Sequence, residues 1–357
     1  MKLLFISIRD VGLTDSGGSK CTNRNYLSFC EILGAENVNV VNVTASTPNR
    51  FMGAFLKRFS IFFGCYAGLS LKLINDIKKE SPGYDFVFID ASYLGKIASS
   101  LKQAGYKGKI ISHFHNIEVD IMRQKSRIQP LNFWKIFLVK YNENKAVRFS
   151  DRLIVLNKRE KNELIRQYLA KKVEIIPISL PDELIHAPDG STKVPPTLLF
   201  IGDNWYPNIH GLRWFIDKVL PDVKVKLQIV GRNMEGYREE FSNPKIQFLG
   251  YVKDLSALIL DADYILCPIF KGGGMKVKIC EALMHGKNII GTSEAYEGYE
   301  VDFEKAGAVC NSKDEFIKAI EALSSIERPK FNLANREIFL EKYSFTATLE
   351  SFRELMI

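Results

Sequence analysis

Ile176-Pro177-Ile178-Ser179-Leu180-Pro181, then Pro188-Asp189-Gly190-Ser191-Thr192 and Val194-Pro195-Pro196, form the stretch that divides this chain. Proline fixes φ and removes a backbone donor, and Asp-Gly-Ser-Thr favours turns, so neither a strand nor a helix can run through it. Residues 177–196 are therefore expected to link two bodies. A chain of 357 residues is also too long for one ordinary core.

Outward from that break, short apolar runs alternate with helix-period stretches in both directions. Before it, strand-like runs occupy 3–8, 38–43, 85–89, 109–111, 152–156 and 173–175. After it, they occupy 197–201, 225–230, 246–248, 264–267, 288–290 and 308–310. Helical periods lie between them, as at 157–168, 210–220 and 313–323. Strand-helix alternation predicts parallel sheets covered on both faces. The expected fold is α/β: two Rossmann-like halves facing one another across a cleft, with ligands at the C-terminal ends of the strands. The boundaries predicted are 1–176, the linker 177–196, a second domain 197–335, and closing helices 336–357 able to cross back to the first domain.

Composition narrows the classes. Hydrophobic residues make up 46% and charged residues 25% of the chain, which is ordinary globular usage. Met1-Lys2-Leu3-Leu4-Phe5-Ile6-Ser7-Ile8 is too short for a signal peptide and reads as a buried first strand. No apolar run approaches the length of a spanning helix. The expected location is cytoplasmic, with the inner face of the membrane as an alternative. Six cysteines lie scattered, with no Cys-x-x-Cys pair and no histidine at metal spacing. The formal charge of +8 favours anionic partners in general, but no nucleic-acid module is recognised.

Beyond the divide, each strand-like run ends in a glycine or polar turn on one predicted rim: Gly202 with Asn208, Gly231, and Gly250-Tyr251-Val252. The strongest chemical signal is Gly272-Gly273-Gly274-Met275-Lys276-Val277-Lys278-Ile279-Cys280-Glu281, which opens a helix that Gly286 ends. Glycines let backbone amides close around phosphate oxygens, and the helix N-terminus adds its positive end. Lys276 and Lys278 bring charge to the same mouth. Glu281, three residues beyond Lys278, shares its helical face and can accept hydrogen bonds from ribose hydroxyls. The plainer alternative is a glycine turn with a solvated Lys-Glu pair.

In the first half, Gly17-Gly18 could bring amides to an anion at a helix start or serve as a flexible turn. The spacing is not that of a dinucleotide-binding dehydrogenase. His113-Phe114-His115-Asn116-Ile117-Glu118 directly follows a strand, where polar residues would face the cleft. His115 could orient an acceptor or a sugar, or simply pack beneath the cleft. His113 and His115 share a face of extended chain, but a metal pair there lacks a third ligand. Residues 50–79 combine Phe51, Phe55, Phe59, Phe62, Phe63 and Tyr66 with six basic residues. Such a stretch fits either a membrane interface or a core-facing helix with a basic outer face. Asp261-Ala262-Asp263 reads as a turn, not a metal site.

With these pieces in order, the chain resembles the GT-B glycosyltransferases of the large retaining family often called GT4 or group 1. The resemblance is carried by Phe200-Ile201-Gly202, Tyr206-Pro207-Asn208, Ile229-Val230-Gly231, Leu249-Gly250-Tyr251-Val252 and Lys278-Ile279-Cys280-Glu281-Ala282-Leu283. Gly17-Gly18, His115-Asn116-Ile117-Glu118 and Asp151-Arg152-Leu153-Ile154-Val155-Leu156 extend it into the first half. It implies transfer of a sugar from a UDP or GDP donor to a glycan or lipid-linked acceptor, with retention of configuration. It further implies a role in surface polysaccharide or glycoconjugate synthesis, and no metal or other cofactor. The donor site would be Gly17, Gly18, Gly202, Asn208, Gly231, Tyr251, Val252, Gly273, Gly274, Met275, Lys278 and Glu281. Lys278, Lys276 and His115 would carry the chemistry. Two departures stand out. Gly273 occupies the place of the family's first signature glutamate, and residues 203–208 lack the usual Arg and Lys. A subgroup with a basic glycine loop would use Lys276 and Lys278 in their stead. A nucleotide-sugar epimerase of the same fold and an inert nucleotide-binding partner subunit are the alternatives.

Overall fold

Leu3–Ser7 (β1) is buried at every position, and its alternate side chains enter different cores. Leu4 and Ile6 join Val87, Ile89 and Ile110 on one face, while Leu3 and Phe5 join Phe86, Phe88 and Ile111 on the other. A strand covered on both faces needs apolar residues throughout, which is why it reads as a continuous apolar run. The computed structural model describes residues 1–44, 61, 64–126, 133–325 and 327–357.

β1 pairs in parallel with β2 (Val38–Asn42) and β3 (Phe86–Ile89). With β4 (Lys109–Phe114), β5 (Arg152–Val155) and β6 (Val173–Ile175), the first sheet runs β2-β1-β3-β4-β5-β6. A second parallel sheet contains β7 (Thr197–Ile201), β8 (Lys226–Val230), β9 (Ile246–Gly250), β10 (Tyr264–Cys267), β11 (Ile289–Gly291) and β12 (Gly307–Val309). Its order is β12-β11-β10-β7-β8-β9. In each sheet the leading strand lies inside, with β2 on one side of β1 and β3 to β6 on the other, and with β8 and β9 on one side of β7 and β10 to β12 on the other. That reversal opens a crevice at the C-terminal ends of β1 and β3, and another at those of β7 and β10.

The chain forms two units, Met1–Pro177 with Leu349–Ile357, and Ile178–Thr348. The proline-dense stretch is tied to the second of these. Leu180 N–H donates to the Tyr343 carbonyl at 3.0 Å, and Thr192 N–H to that of Arg328 at 2.8 Å. In the first unit, the closing segment lays Phe352 against Phe29 and under the Arg24 guanidinium.

Three helix starts follow from local chemistry. Ser16, Asn157 and Ser312 each accept a backbone N–H three residues on, as N-caps do. The helix Tyr206–Lys218 begins four residues earlier than its apolar period suggests. Tyr206-Pro207-Asn208 is its first turn, with proline where no donor is required.

Within 50–79, Phe51, Phe55, Phe59, Phe62 and Phe63 lie outside the described residues. The described helix Leu71–Glu80 buries Ile74 and Ile77, while Lys72 and Lys79 are exposed. That part is core-facing. Among the described residues, no helix is long and apolar enough to cross a membrane.

Candidate functional site

The crevice of the second sheet gathers the residues singled out by sequence. β7 ends at Ile201, β8 at Val230 and β10 at Cys267, so the turns after them meet on one edge. They approach closely. A methyl at Gly231 would lie 2.0 Å from the Gly202 carbonyl oxygen, and one at Gly211 would lie 1.8 Å from that of Pro268. Gly231 also has φ of 153°, which side chains rarely adopt. Only glycine permits these contacts.

The glycine loop hangs from the exit of β10. Lys276 Nζ donates to the Gly273 and Gly274 carbonyls at 3.2 and 3.1 Å, and pairs with Glu294 at 3.1 Å. Its charge thus closes the loop, where the sequence suggested a cation open to the mouth. The helix Val277–Met284 follows, with no side chain capping its N-terminus. Lys278, in its first turn, donates to Asn208 Oδ1 at 2.9 Å and lies 4.7 Å from the centre of the Phe200 ring. Asn208 in turn donates to the Asp203 carbonyl at 3.0 Å. Burial pulls the Lys278 ammonium below the usual lysine range, partly offset by Cys267 and Glu281. Glu281 is buried one turn along the helix, and Met275 is buried in the loop.

A further cation escaped the sequence reading. Arg232, just after β8, meets Asp203 after β7 through Nε at 3.0 Å and Nη2 at 2.6 Å. The neighbouring strand thereby supplies a guanidinium beside the segment 203–208, which has no cation of its own. Gly231-Arg232 at a strand end was the available signal. Lys271 is a second addition, bonded to the Tyr206 hydroxyl at 2.8 Å. Tyr251 and Val252 follow the edge strand β9 instead, and Tyr251 is half exposed. Asp263 serves as a structural turn residue, accepting from Thr197 N–H at 2.7 Å and pairing with Lys330 at 3.3 Å.

The crevice of the first sheet is different in kind. Gly17 and Gly18 open the helix Gly17–Leu33, and the Arg9 guanidinium packs against Gly18, 2.8 Å from where a methyl would stand. Behind them the helix buries a polar face containing Cys21, Thr22, Arg24, Asn25 and Ser28. Asp90, after β3, is fully buried. It accepts from Thr22 Oγ1 at 2.5 Å and Asn25 Nδ2 at 2.7 Å, and faces His113 Nδ1 at 3.3 Å and His115 Nε2 at 3.2 Å. β4 continues to Phe114, so His113 is a buried strand residue and does not project from a loop as expected. The described structure also brings Cys21 to both histidines, a neighbour that sequence spacing did not reveal.

Burial opposes every charge in this cluster, and charge pairing decides the outcome. Against burial, His115 and the hydrogen bonds of both imidazoles hold Asp90 well below the carboxylate range. Against burial, Asp90 and then Cys21 raise His115 to about 10. Burial and the charge of His115 drive His113 down to about 3. His115 therefore carries the proton and His113 stays neutral. Cys21, despite burial, is lowered by His115 and then Arg24.

Known proteins bear on both units. Residues 195–325 match the family described as glycosyl transferases group 1, a span that contains the glycine loop and Arg232. An uncharacterised 44.6 kDa protein of the cps region of Klebsiella pneumoniae is 24% identical over 283 residues, 73% of this chain and 70% of that protein. The sucrose-phosphate synthase of Thermosynechococcus elongatus superposes with a TM-score of 0.74 at 14% identity, over 99% of this chain and 98% of its own. Anabaena HepE in complex with UDP gives 0.68 at 13% identity, over 100% and 99% of the two chains. The apo lipopolysaccharide outer core galactosyltransferase WaaB gives 0.67 at 13% identity, over 99% and 98%. The fold is that of the GT-B proteins.

Proposed function

We propose that this chain is a glycosyltransferase that moves a sugar from a nucleotide-sugar donor to a glycan or lipid-linked acceptor. The second unit would hold the donor and the first the acceptor. The observation that carries the reading is Lys278, held by Asn208 at the mouth of a glycine loop, in a crevice inside the matched segment. Structures in complex with UDP or UDP-glucose, and that of a galactosyltransferase, share the fold, which supports a nucleoside diphosphate as the ligand class.

In this reading Lys278 neutralises the departing diphosphate, aided by Arg232, by the amides of Gly273 and Gly274, and by the start of the helix Val277–Met284. Preorganised charges of that kind stabilise a leaving group without the reorganisation that water requires. They would stand in place of a divalent ion. Lys276 keeps the loop closed. Glu281 holds the ribose, Gly202 and Gly231 let the backbone approach the nucleotide, and Met275, Tyr251 and Val252 border the base. In the first unit, Gly17-Gly18 with Arg9 would contact phosphate, and His115, locked by Asp90, would position the sugar or acceptor. The family resemblance supplies retention of configuration. With Gly273 in place of the signature glutamate, sugar choice would rest on other residues.

Peripheral contact with an anionic membrane face through residues 50–79 is part of the reading, and exposed aromatics elsewhere in the first unit add to it. Phe133, Trp134, Phe137 and Tyr141 are all exposed, and Lys140 lies among them on the helix Trp134–Phe149. Aromatic side chains among basic ones suit an interface. Flotation with anionic liposomes at low salt tests this, and failure to co-float removes it.

Product analysis with UDP- and GDP-sugars and a panel of glycan and lipid-linked acceptors tests the main reading. Transfer in the wild type and at least a hundredfold loss in Lys278→Ala are expected, on the order of 3 kcal/mol in the transition state. Donor conversion without acceptor would mean an epimerase. Nucleotide binding without any product would mean an inert binding subunit.

A further inference from the structure

The buried cluster of the first unit also offers a second arrangement, in which His115 holds an ion in place of touching sugar or acceptor. Cys21 Sγ and one ring nitrogen each of His113 and His115 lie within 4.8 Å of one another. They arrive from separate elements: Cys21 from the helix Gly17–Leu33, His113 from β4, and His115 just beyond that strand.

Both imidazoles are held from behind by the same residue. His115 Nε2 lies 2.9 Å from the Asp90 carbonyl oxygen and 3.2 Å from its Oδ1, which leaves Nδ1 for another partner. His113 Nδ1 lies 3.3 Å from that Oδ1 and 2.9 Å from Asn25 Nδ2. Its other nitrogen, Nε2, is buried with no hydrogen-bond partner, although the residue is wholly enclosed. An orphaned buried polar atom costs about 1–3 kcal/mol, so its persistence calls for a ligand. A histidine whose outer nitrogen rests on a carboxylate has its tautomer and orientation fixed for metal coordination through the inner one. Thiolate with two imidazoles is the donor set of zinc-type ions, whereas an ion serving a diphosphate would take oxygen ligands.

We propose that Cys21, His113 and His115 form a binding site for one zinc-class divalent ion, through Sγ, His113 Nε2 and His115 Nδ1, with Asp90 behind both rings. Binding displaces the Cys21 thiol proton and the extra proton of the His115 imidazolium, so that both imidazoles coordinate in their neutral form. Bonds of about 2.0–2.3 Å require the three atoms to close in by side-chain rotation. His115, at 9% exposure, is the least enclosed of the three and marks the side from which an ion enters and a water completes the coordination. The ion would pin the first turns of the helix Gly17–Leu33 to the ends of β3 and β4. It would thereby fix the Gly17-Gly18 turn, a positioning role that does not depend on the donor reading.

Cobalt(II) and zinc(II) titration of the metal-stripped full chain tests this. The expected result is about one equivalent of cobalt per chain with a thiolate-to-cobalt charge-transfer band in the near ultraviolet. Zinc should raise Tm as a ligand of the folded state does. The band should vanish in Cys21→Ser, and His113→Asn should weaken binding by about tenfold or more. His186→Ala, at an exposed histidine, should change neither. Absence of the band and of any Tm shift in the wild type with metal in excess overturns the site, whatever the folding of the variants. Retention of the band in a folded Cys21→Ser overturns it equally, and assigns the metal to other ligands. No readout here involves a nucleotide, so failure of this site and failure of the donor reading are separable.

Discussion

The two sheets share strand direction, strand number and the same reversal of order, yet their crevices are filled by opposite strategies. In the first, a carboxylate is sunk completely and surrounded by donors: Asp90 with Thr22, Asn25, His113 and His115. In the second, cations line the edge while still partly open to solvent. Lys278 rests on Asn208, and Arg232 and Asp203 are each about one third exposed on their side chains. A buried network built around one carboxylate holds a structure in one arrangement. Cations on partly solvated partners can exchange them for a phosphate. The common topology supplies two crevices, and the side chains decide which one is rigid and which receives an anion.

That contrast has energetic consequences. Asp90→Ala strands several buried partners at once and should cost about 3–5 kcal/mol, because breaking a buried pair leaves an uncompensated charge. Urea denaturation of wild type and variant measures this, and a loss below 1 kcal/mol would place the network in the wrong crevice.

Next in size is a pH effect in the first unit. Glu143 is fully buried, and burial, eased by the Tyr168 and Ser92 hydroxyls and the Glu118 N–H but reinforced by the Glu118 charge, pushes it up to about 7. Its folded pKa exceeds its unfolded value of 4.5, so its contribution is complete below 4.5 and is lost as pH rises through 7. Wild-type unfolding free energy should fall over that window by up to ~3 kcal/mol more than that of Glu143→Gln. Parallel pH profiles for the two proteins would refute the assignment.

A smaller effect is expected where the second unit packs backbone on backbone. Gly211→Ala drives a methyl into the Pro268 carbonyl, so the helix Tyr206–Lys218 must withdraw from β10 at a cost of about 1–3 kcal/mol. Nucleotide affinity should fall with it, since Asn208 rides on that helix. Smallest of all, Asp203→Ala removes a partly exposed pair with Arg232 and should change stability by no more than about 1 kcal/mol. If it matched Asp90→Ala, the division between the crevices would be lost.

How much of this could be read from the chain depends on whether the cause is local. All the strand-like runs form strands, and the central ones, β1, β3, β7 and β10, are apolar at successive positions because both their faces are buried. Caps at Ser16, Asn157 and Ser312 are likewise local chemistry. The glycine loop was legible because its amides, lysines and helix start are contiguous. β4 was read three residues short, since His113 breaks the apolar run and is tolerated only because Asp90, 23 positions away, partners it. Cys21, Asn25 and Arg9 carry no sequence signal at all. Their roles exist only once β1, β3 and β4 lie side by side. Arg232 was missed because the cation was sought after β7, when the neighbouring strand supplies it. The prolines of 177–196 predict a linker, and within it the Leu180 and Thr192 N–H groups find carbonyls of Tyr343 and Arg328 in the second unit.

The central claim is that the second crevice, through Lys278, grips a nucleoside diphosphate. Isothermal calorimetry with UDP and GDP, on the wild type and on Lys278→Ala, tests it most directly. Binding of at least one of them to the wild type, weakened by about a hundredfold in Lys278→Ala, is the predicted result. Equal affinity in the two proteins, or no binding of either nucleotide to the wild type, would contradict it.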